Sequence, residues 1–413
     1  MQKIIVVGGG AAGMMAAISA AQAGASVLLL ERNSRLGWKL SITGKGRCNV
    51  TNDSTMQEII RNIPGNGSFL YSSLAAFDSV ALQDFFRAQG VELKTERGKR
   101  VFPVSDNAKD IVAALKRAME KLGVRVLYGR YVDKLLIEDG VIKGVKAGEE
   151  IFEAEKVIIT CGGKSYPATG SDGSGYMLAE QAGHSIITPK PALVPLYSGD
   201  KYIPELAGLS LKNVEVSLYH RNKLLASEFG EMLFTHKGVS GPVILSLSFD
   251  VCTLSSIDQR QCILKINLKP ALDMDKLQAR LQRDLDKFSR RHLANSLNEL
   301  LPQSIIPVVI QLSGVFPHKE CNQITKEERK ALCEIISAFP VHISSVGTIE
   351  EAIVTAGGIC VKEVNPKTME SRKISGLYFC GEVLDIQGYT GGFNLQAAFS
   401  MGNAAGKYAA EEF

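Results

Sequence analysis

The chain has 413 residues, 45% hydrophobic and 22% charged, with a formal net charge of +4. That length exceeds one ordinary core, so at least two domains are expected, and the composition is that of a globular protein without disordered tracts. The charge suits an anionic ligand and is too small to argue for nucleic acid by itself.

The segment KIIVVGGGAAGMMAAISAAQAGASVLLLE, from Lys3, reads as strand, turn, helix and strand. Its apolar opening is expected to be neither a signal peptide nor a membrane span, because Gly8, Gly9 and Gly10 interrupt it and no basic n-region precedes it. Gly8, Gly10 and Gly13 form G-x-G-x-x-G at the strand-to-helix junction. Gly8 permits the turn, Gly10 admits a diphosphate to the backbone, and Gly13 lets helix and strand pack. The helix N-terminus then holds the anion. Glu31 closes the second strand about 20 residues on, where an acid binds ribose hydroxyls.

Residues 32–52, RNSRLGWKLSITGKGRCNVTN, read as a loop rich in N–H donors, in which Lys39, Lys45 and Arg47 could balance phosphate charge. An amphipathic helix follows from an Asn107 cap, with Asp110 in its first turn. Strand patterns come next, VRVLYG and then a three-stranded meander turning at Asp139–Gly140 and near Gly148. A buried strand, Val157–Thr160, ends in Cys161-Gly162-Gly163, small residues that imply close approach to a ligand. A helix is expected over about Asp172–Ala182.

Three prolines in PKPALVPL mark an exit from this domain. VEVSLYH, KLLASEFGEMLFTH, PVILSLSFDV and CILKINL read as strands of an antiparallel sheet or barrel. DMDKLQARLQRDLDKFSRRHLANSLNELLP reads as helix, with basic KFSRRH (Lys287–His292) as a solvated face. A second helix starts at a capping box, Thr325 with Glu328. FTHKGVSGP (Phe234–Pro242) offers His236 and Ser240 to catalysis or else a plain turn. No His and acid spacing indicates a metal, and no G-x-S-x-G an esterase. None of the eight cysteines is spaced C-x-x-C, so no redox dithiol or zinc ribbon is encoded; scattered thiols imply a cytoplasmic protein.

The chain closes with GLYFCGEVLDIQGYTGGFNLQAAFSMG, a buried strand, a second glycine turn and a small-residue helix. This segment resembles the second FAD fingerprint, and the two-segment arrangement resembles the FAD fold of the glutathione-reductase type. DGSGYMLAEQAG is similar to a segment of fumarate-reductase-like flavoproteins. VVGGGAAGMMAA, KLSITGKGRCNVTN, RVFPVSDNA, FTHKGVSGP, TAGGICVKEVNPKTMES and the closing segment together resemble a bacterial family of FAD-dependent oxidoreductases. Its members are described as 3-oxo-bile-acid ene reductases and as aminoacetone oxidases.

The fold implied is α/β: a Rossmann-type two-segment FAD-binding domain, 1–188 and 351–413, with an inserted β-barrel, 189–272, returning over 339–350. A small helical subdomain, 273–338, belongs to the insert. Reading and resemblance together give cofactor contacts at Gly8, Gly10, Ala11, Ala12, Gly13, Glu31, Arg32, Lys39, Gly46, Arg47, Cys48, Asn49, Val132, Cys161, Gly162, Gly381, Glu382, Asp385, Gly391, Gly392, Asn394 and Leu395. The ribityl acid is Glu382 or Asp385, and Cys48 has a packing or backbone role. The helix near Asn394 points its N-terminus at the flavin, whose reduced form is anionic.

FAD is the resident cofactor, and NAD(P)H visits transiently because no second G-x-G-x-x-G is present. The partner is a small molecule, with no nucleic acid and no integral membrane. Three reactions compete: reduction of an unsaturated ketone with His236 or Tyr389 as proton donor, oxidation of a small amine such as aminoacetone with peroxide release, and modification of a nucleic acid. The large insert suits a roomy substrate and favours the bile-acid or steroid-like enone; an RNA reading lacks a basic, aromatic-interleaved stripe.

Overall fold

The computed structural model describes residues 2–411. It divides into two compact units, one built from the chain before Ala192 and after Thr348, the other spanning Ala192–Thr348.

The first unit is organised on a five-stranded parallel sheet, in the spatial order Leu377–Phe379, Lys156–Ile159, Lys3–Val7, Ser26–Glu31, Arg125–Tyr128. Near-continuous apolar runs such as IIVV and VLLL fill its centre, as a sheet covered on both faces requires. The short strand Leu377–Phe379 comes from the far end of the sequence and pairs Val157 with Leu377 through Ile159 with Phe379. Helix Ala108–Lys121 is capped by Asn107, whose side chain accepts from Lys109 N at 3.1 Å, and buries Ile111, Leu115 and Met119. The meander forms from Lys134–Glu138, Val141–Ala147 and Glu150–Glu153, while VRVLYG joins the main sheet as its edge.

Helix Ala11–Gln22 packs against the C-terminal helix Phe393–Ala410. Small residues make this possible. A Cβ on Gly402 would fall 2.4 Å from Ala12 O, and one on Gly406 would fall 2.2 Å from Ala16 O. The spacing of four places both glycines on one helical face, where they admit the other backbone.

The second unit is a closed antiparallel barrel in the order Leu196–Ser198, Gly238–Ser240, Lys223–Thr235, Ser210–His220, Cys262–Asn267, Phe339–Val346. PVILSLSFDV is not one of its strands; it is the helix Pro242–Thr253. Gly241 and Pro242 start that helix, and Val243, Ile244, Leu247 and Val251 are buried at helical spacing. A short apolar run fits either periodicity, which is why it reads as a strand. The long helix expected from Asp273 stops at Lys287, so KFSRRH leaves the helix and enters a turn. Helix Ile306–Ser313 was not anticipated, whereas the Thr325–Glu328 capping box forms at the start of Lys326–Ser337.

Candidate cofactor and active site

Both glycine turns lie in the first unit. At the first, Gly8 has φ +105, and Gly13 is packed so closely that a Cβ would meet Gly8 O at 1.9 Å. A Cβ on Gly10, by contrast, would meet nothing within 4 Å. Gly10 caps helix Ala11–Gln22 without a side-chain hydrogen bond, and no acid occupies the first turn. The first N–H groups of that helix therefore have no side-chain cap, the form of an anion cradle.

Glu31 is buried at 6% exposure. Its Oε1 accepts from Asn33 N at 2.7 Å and Asn33 Nδ2 at 2.8 Å, and its Oε2 from Gly9 N at 2.7 Å. Oε2 retains a lone pair for a further donor. Arg32 pairs with Asp172 and lies over the Tyr131 ring at 4.9 Å, beside buried Val132. Arg47 is committed to Glu96 and Asp106 and stacks on Phe102 at 4.1 Å. Gly46, its neighbour, has open space where a Cβ would be.

Cys48 is fully buried with φ +60, and burial pushes its thiol up to about 12. Cys161 is likewise raised to about 12, chiefly by burial. The glycines after it approach protein: a Cβ on Gly162 would stand 3.0 Å from Ser171 Oγ, and one on Gly163 2.5 Å from Thr355 Oγ1.

At the second turn, Gly381 abuts Ala12, 2.8 Å from a Cβ built on it. Glu382 is held by Lys39 Nζ at 2.7 Å, by Ser165 Oγ at 3.0 Å and by Thr355 N at 2.9 Å. Asp385 accepts from Asn66 Nδ2 at 2.9 Å and Gly357 N at 3.1 Å, and burial raises its pKa. The two acids thus brace different segments, Glu382 the Trp38–Ile42 helix and the loop at Ser165, and Asp385 the 66 and 357 segments.

Asn394 clamps the turn itself: its Oδ1 accepts from Gly388 N and its Nδ2 donates to Gly388 O, both at 2.7 Å. Asn52 Nδ2 donates to Gly391 O at 2.9 Å, and a Cβ on Gly392 would collide with Thr51 O at 2.4 Å. Gly392, at φ +100, caps the C-terminal helix with no side-chain bond and no acid in its first turn. Leu395 is half-buried against the core, as is Tyr389, whose N–H donates to Asn62 O at 2.9 Å. Sequence reasoning missed Asn52, Asn66 and Gln387. Gln387 is 9% exposed with Oε1 unpartnered, and Asn49 Oδ1 is a second unpartnered buried acceptor.

His236 lies in the second unit, exposed in the His236–Lys237 turn between two barrel strands. Gly238 beside it packs on Leu196, whose O would be 2.1 Å from a Cβ. FTHKGVSGP is thus built as turn, short strand and helix start, which explains its glycines without catalysis.

One further polar cluster resembles a hydrolase triad and is structural. Ser371 Oγ lies 2.7 Å from His184 Nε2, and His184 Nδ1 lies 3.2 Å from Glu363 without hydrogen-bonding geometry. Ser371 Oγ accepts from Lys373 N and Ile374 N, so both its lone pairs are taken and it is no nucleophile. Among the described residues no group of three or more His, Cys, Asp and Glu could hold a metal, and no helix is long and apolar enough to cross a membrane.

The model of the HI0933-like protein Rossmann domain matches residues 2–408. The chain belongs to the HI0933-like family. Membership makes it an FAD-dependent oxidoreductase. It is 31% identical, over the whole of both chains, to the 3-dehydro-bile acid delta(4,6)-reductase of Clostridium scindens. It is 32% identical to the ribosomal RNA dihydrouridine synthase of Escherichia coli, over 92% of this chain and 91% of that one. Among solved structures it is similar to the 3-ketosteroid delta1-dehydrogenase of Sterolibacterium denitrificans, with TM-score 0.55 and 13% identity over 99% of this chain and all of that one. At that identity the likeness shows the fold shared with this HI0933-like chain.

Proposed function

We propose that the chain holds FAD across its two glycine turns and reduces a carbon–carbon double bond conjugated to a carbonyl, with NAD(P)H as electron source. The observation that carries this reading is the pair of uncapped helix N-termini, on helices locked together through Gly402, Gly406, Ala12 and Ala16. The amides of Ala11, Ala12 and Gly13 hold the diphosphate, and Glu31 Oε2 accepts from the ribose. Gly391, Gly392 and Leu395 present the second helix N-terminus to the redox half, where developing negative charge is stabilised. Asn49 Oδ1 and Gln387 Oε1, buried acceptors without a donor, fit a polar group arriving with the cofactor. Bound FAD supplies two-electron hydride chemistry at N5.

The chain's residues provide orientation and a proton. Asn394 and Asn52 fix the Gly388–Gly392 turn, and Lys39 fixes Glu382. The proton for the substrate α-carbon comes from the Tyr389 hydroxyl in preference to His236. Tyr389 stands on the braced turn, whereas His236 occupies an exposed hairpin turn.

Two substrates share this bond. A bile-acid or steroid-like enone is supported by the relative matched over the full length of both chains. A uracil ring in RNA, whose C5–C6 double bond is conjugated to a carbonyl, is supported by the 32% identical relative. The amine-oxidase reading finds no support among these relatives.

The test is anaerobic mixing of the purified protein with NADPH or NADH, followed by addition of a 4-en-3-one steroid or a uridine-containing RNA. Bleaching of the flavin band and its return on adding one substrate, with the saturated product formed, is the expected outcome. A protein that cannot be loaded with FAD, or one that neither nucleotide bleaches, overturns the reading.

A further inference from the structure

KFSRRH does not lie on a solvated helix face. After helix Met274–Lys287 ends, residues 288–295 run alongside 317–322 as an irregular ladder. Cys321 N donates to Arg291 O at 3.0 Å, Leu293 N to Lys319 O at 2.9 Å and Asn322 N to Ser289 O at 3.1 Å, with His292 bridged to Glu320. The ladder fixes the relative positions of its side chains.

Those side chains form a row of rings among cations. Phe316 is 64% exposed, although Phe of that size is ordinarily buried. Its centroid is 5.6 Å from that of His318, which in turn is 5.5 Å from His292, and both histidines are exposed. Arg290 and Arg291 are exposed beside them, Arg291 lying 4.8 Å over Phe288. Two of the nearby acids are paired, Glu299 with Lys287 at 2.6 Å and Glu328 with Lys319 at 2.7 Å, while Glu320 on the ladder is in no ion pair among the described residues. Among the described residues neither Arg290 nor Arg291 is in an ion pair.

Exposed rings packed edge to face, at 67° and 82°, beside guanidinium groups in no ion pair and on a rigid support, match the chemistry of an unpaired nucleotide strand. Rings take the faces of splayed bases, and arginines take phosphates. A duplex hides its base faces and would use the arginines alone. An acidic peptide would pair the arginines and leave the rings unused, and a phospholipid surface would bury Phe316 and pair the arginines but offer the two imidazoles no ring to stack on. We propose that the face formed by Arg290, Arg291, His292, Phe316 and His318 docks single-stranded RNA. This rests on the second substrate reading above and adds to it where on the chain the strand is gripped.

The experiment is fluorescence anisotropy of the FAD-loaded full chain with a labelled single-stranded 12-mer RNA, its duplex, and anionic phospholipid vesicles as competitor. The single strand should bind at least about tenfold tighter than the duplex. Phe316→Ala should weaken binding about fivefold or more, the loss of one stacked base. Arg290→Ala with Arg291→Ala should lower the slope of log K against log salt by about 1.4, at roughly 0.7 per phosphate of a single strand. Reduction of a free enone by these variants should stay within about twofold of the parent. Equal binding of duplex and single strand, displacement by vesicles, or unchanged binding by both variants overturns the docking face. Failure of the reductase reading would appear separately, as no turnover of any free enone by the parent protein and no saturation of uridine.

Discussion

Gly402→Ala offers a perturbation whose sign tests how the two halves of the cofactor cradle are joined. Helix Ala11–Gln22 carries the first turn and helix Phe393–Ala410 the second. A methyl on Gly402 would stand 2.4 Å from Ala12 O and 3.1 Å from its carbonyl carbon, both backbone atoms that no rotamer change can move. An ordinary carbon-to-oxygen contact is about 3.3 Å, so the helices must part by roughly 0.9 Å. Overpacking of this kind costs about 1–3 kcal/mol. In an unhindered helix interior the same change would instead stabilise by about 1 kcal/mol. The expected result is a net loss of about 0–2 kcal/mol, centred near 1, in urea denaturation of the apoprotein, with FAD affinity falling at least about fivefold as the two turns separate. Gly406→Ala meets Ala16 O at 2.2 Å and Ala20 N at 2.9 Å and should behave alike. The double variant should lose less than the sum, because one displacement relieves both contacts. A rise in stability for Gly402→Ala with unchanged FAD affinity would refute the close packing and with it the joined cradle.

Glu31→Gln keeps the shape but removes the charge that holds Gly9 N and Asn33 N, and FAD affinity measured by fluorescence quenching should fall about tenfold or more, as for bonds to a charged group. Asn394→Ala deletes both bonds to Gly388, so the rate of flavin reoxidation by substrate should fall while thermal stability drops by about 1–2 kcal/mol. Native protein at pH 8 should leave Cys48 unalkylated by iodoacetamide, since full burial holds its thiol up to about 12; rapid labelling would contradict that. Acid should destabilise the first unit in two steps. Burial lowers the His184 pKa, so the unfolded chain binds a proton first and stability falls as pH drops below about 6.5. Burial alone would raise the Glu363 carboxyl, but bonds from Lys373 and Ser185 outweigh it and hold it at about 2. Its contribution is present above about 4.3 and lost as pH falls towards 2. Urea midpoints at pH 7, 5 and 3 should decline in that order for the parent, with a smaller decline between 5 and 3 for Glu363→Gln.

Elements whose pattern has one solution were legible. The strand–turn–helix from Lys3 needs its glycines in that order, and the apolar strand at Leu377 has nowhere to go but a buried sheet. PVILSLSFDV was not legible, because a ten-residue run that is mostly apolar satisfies either period; only the Gly241–Pro242 start favours a helix, and that signal is short. KFSRRH misled for a different reason. Its residues continue a helical pattern, but backbone bonds to residues 317–322 outcompete the helix, and those partners lie about 30 positions away in sequence.

The site divides along the same line. A glycine announces its role locally, through a φ only it adopts or a contact only it allows, so Gly8, Gly13 and Gly392 could be read directly. A charged or amide side chain announces only what it could do. Arg47 reads as a phosphate ligand until Glu96 and Asp106 are found on it, and Asn394 reads as a cofactor contact until both ends of its amide are found on Gly388. Lys39 and Glu382, separated by 343 positions, hold each other. Such residues act at one remove, by fixing the shape of the two turns. That is why the glycine spacing carried more information about the shape of the two turns than any charged residue did.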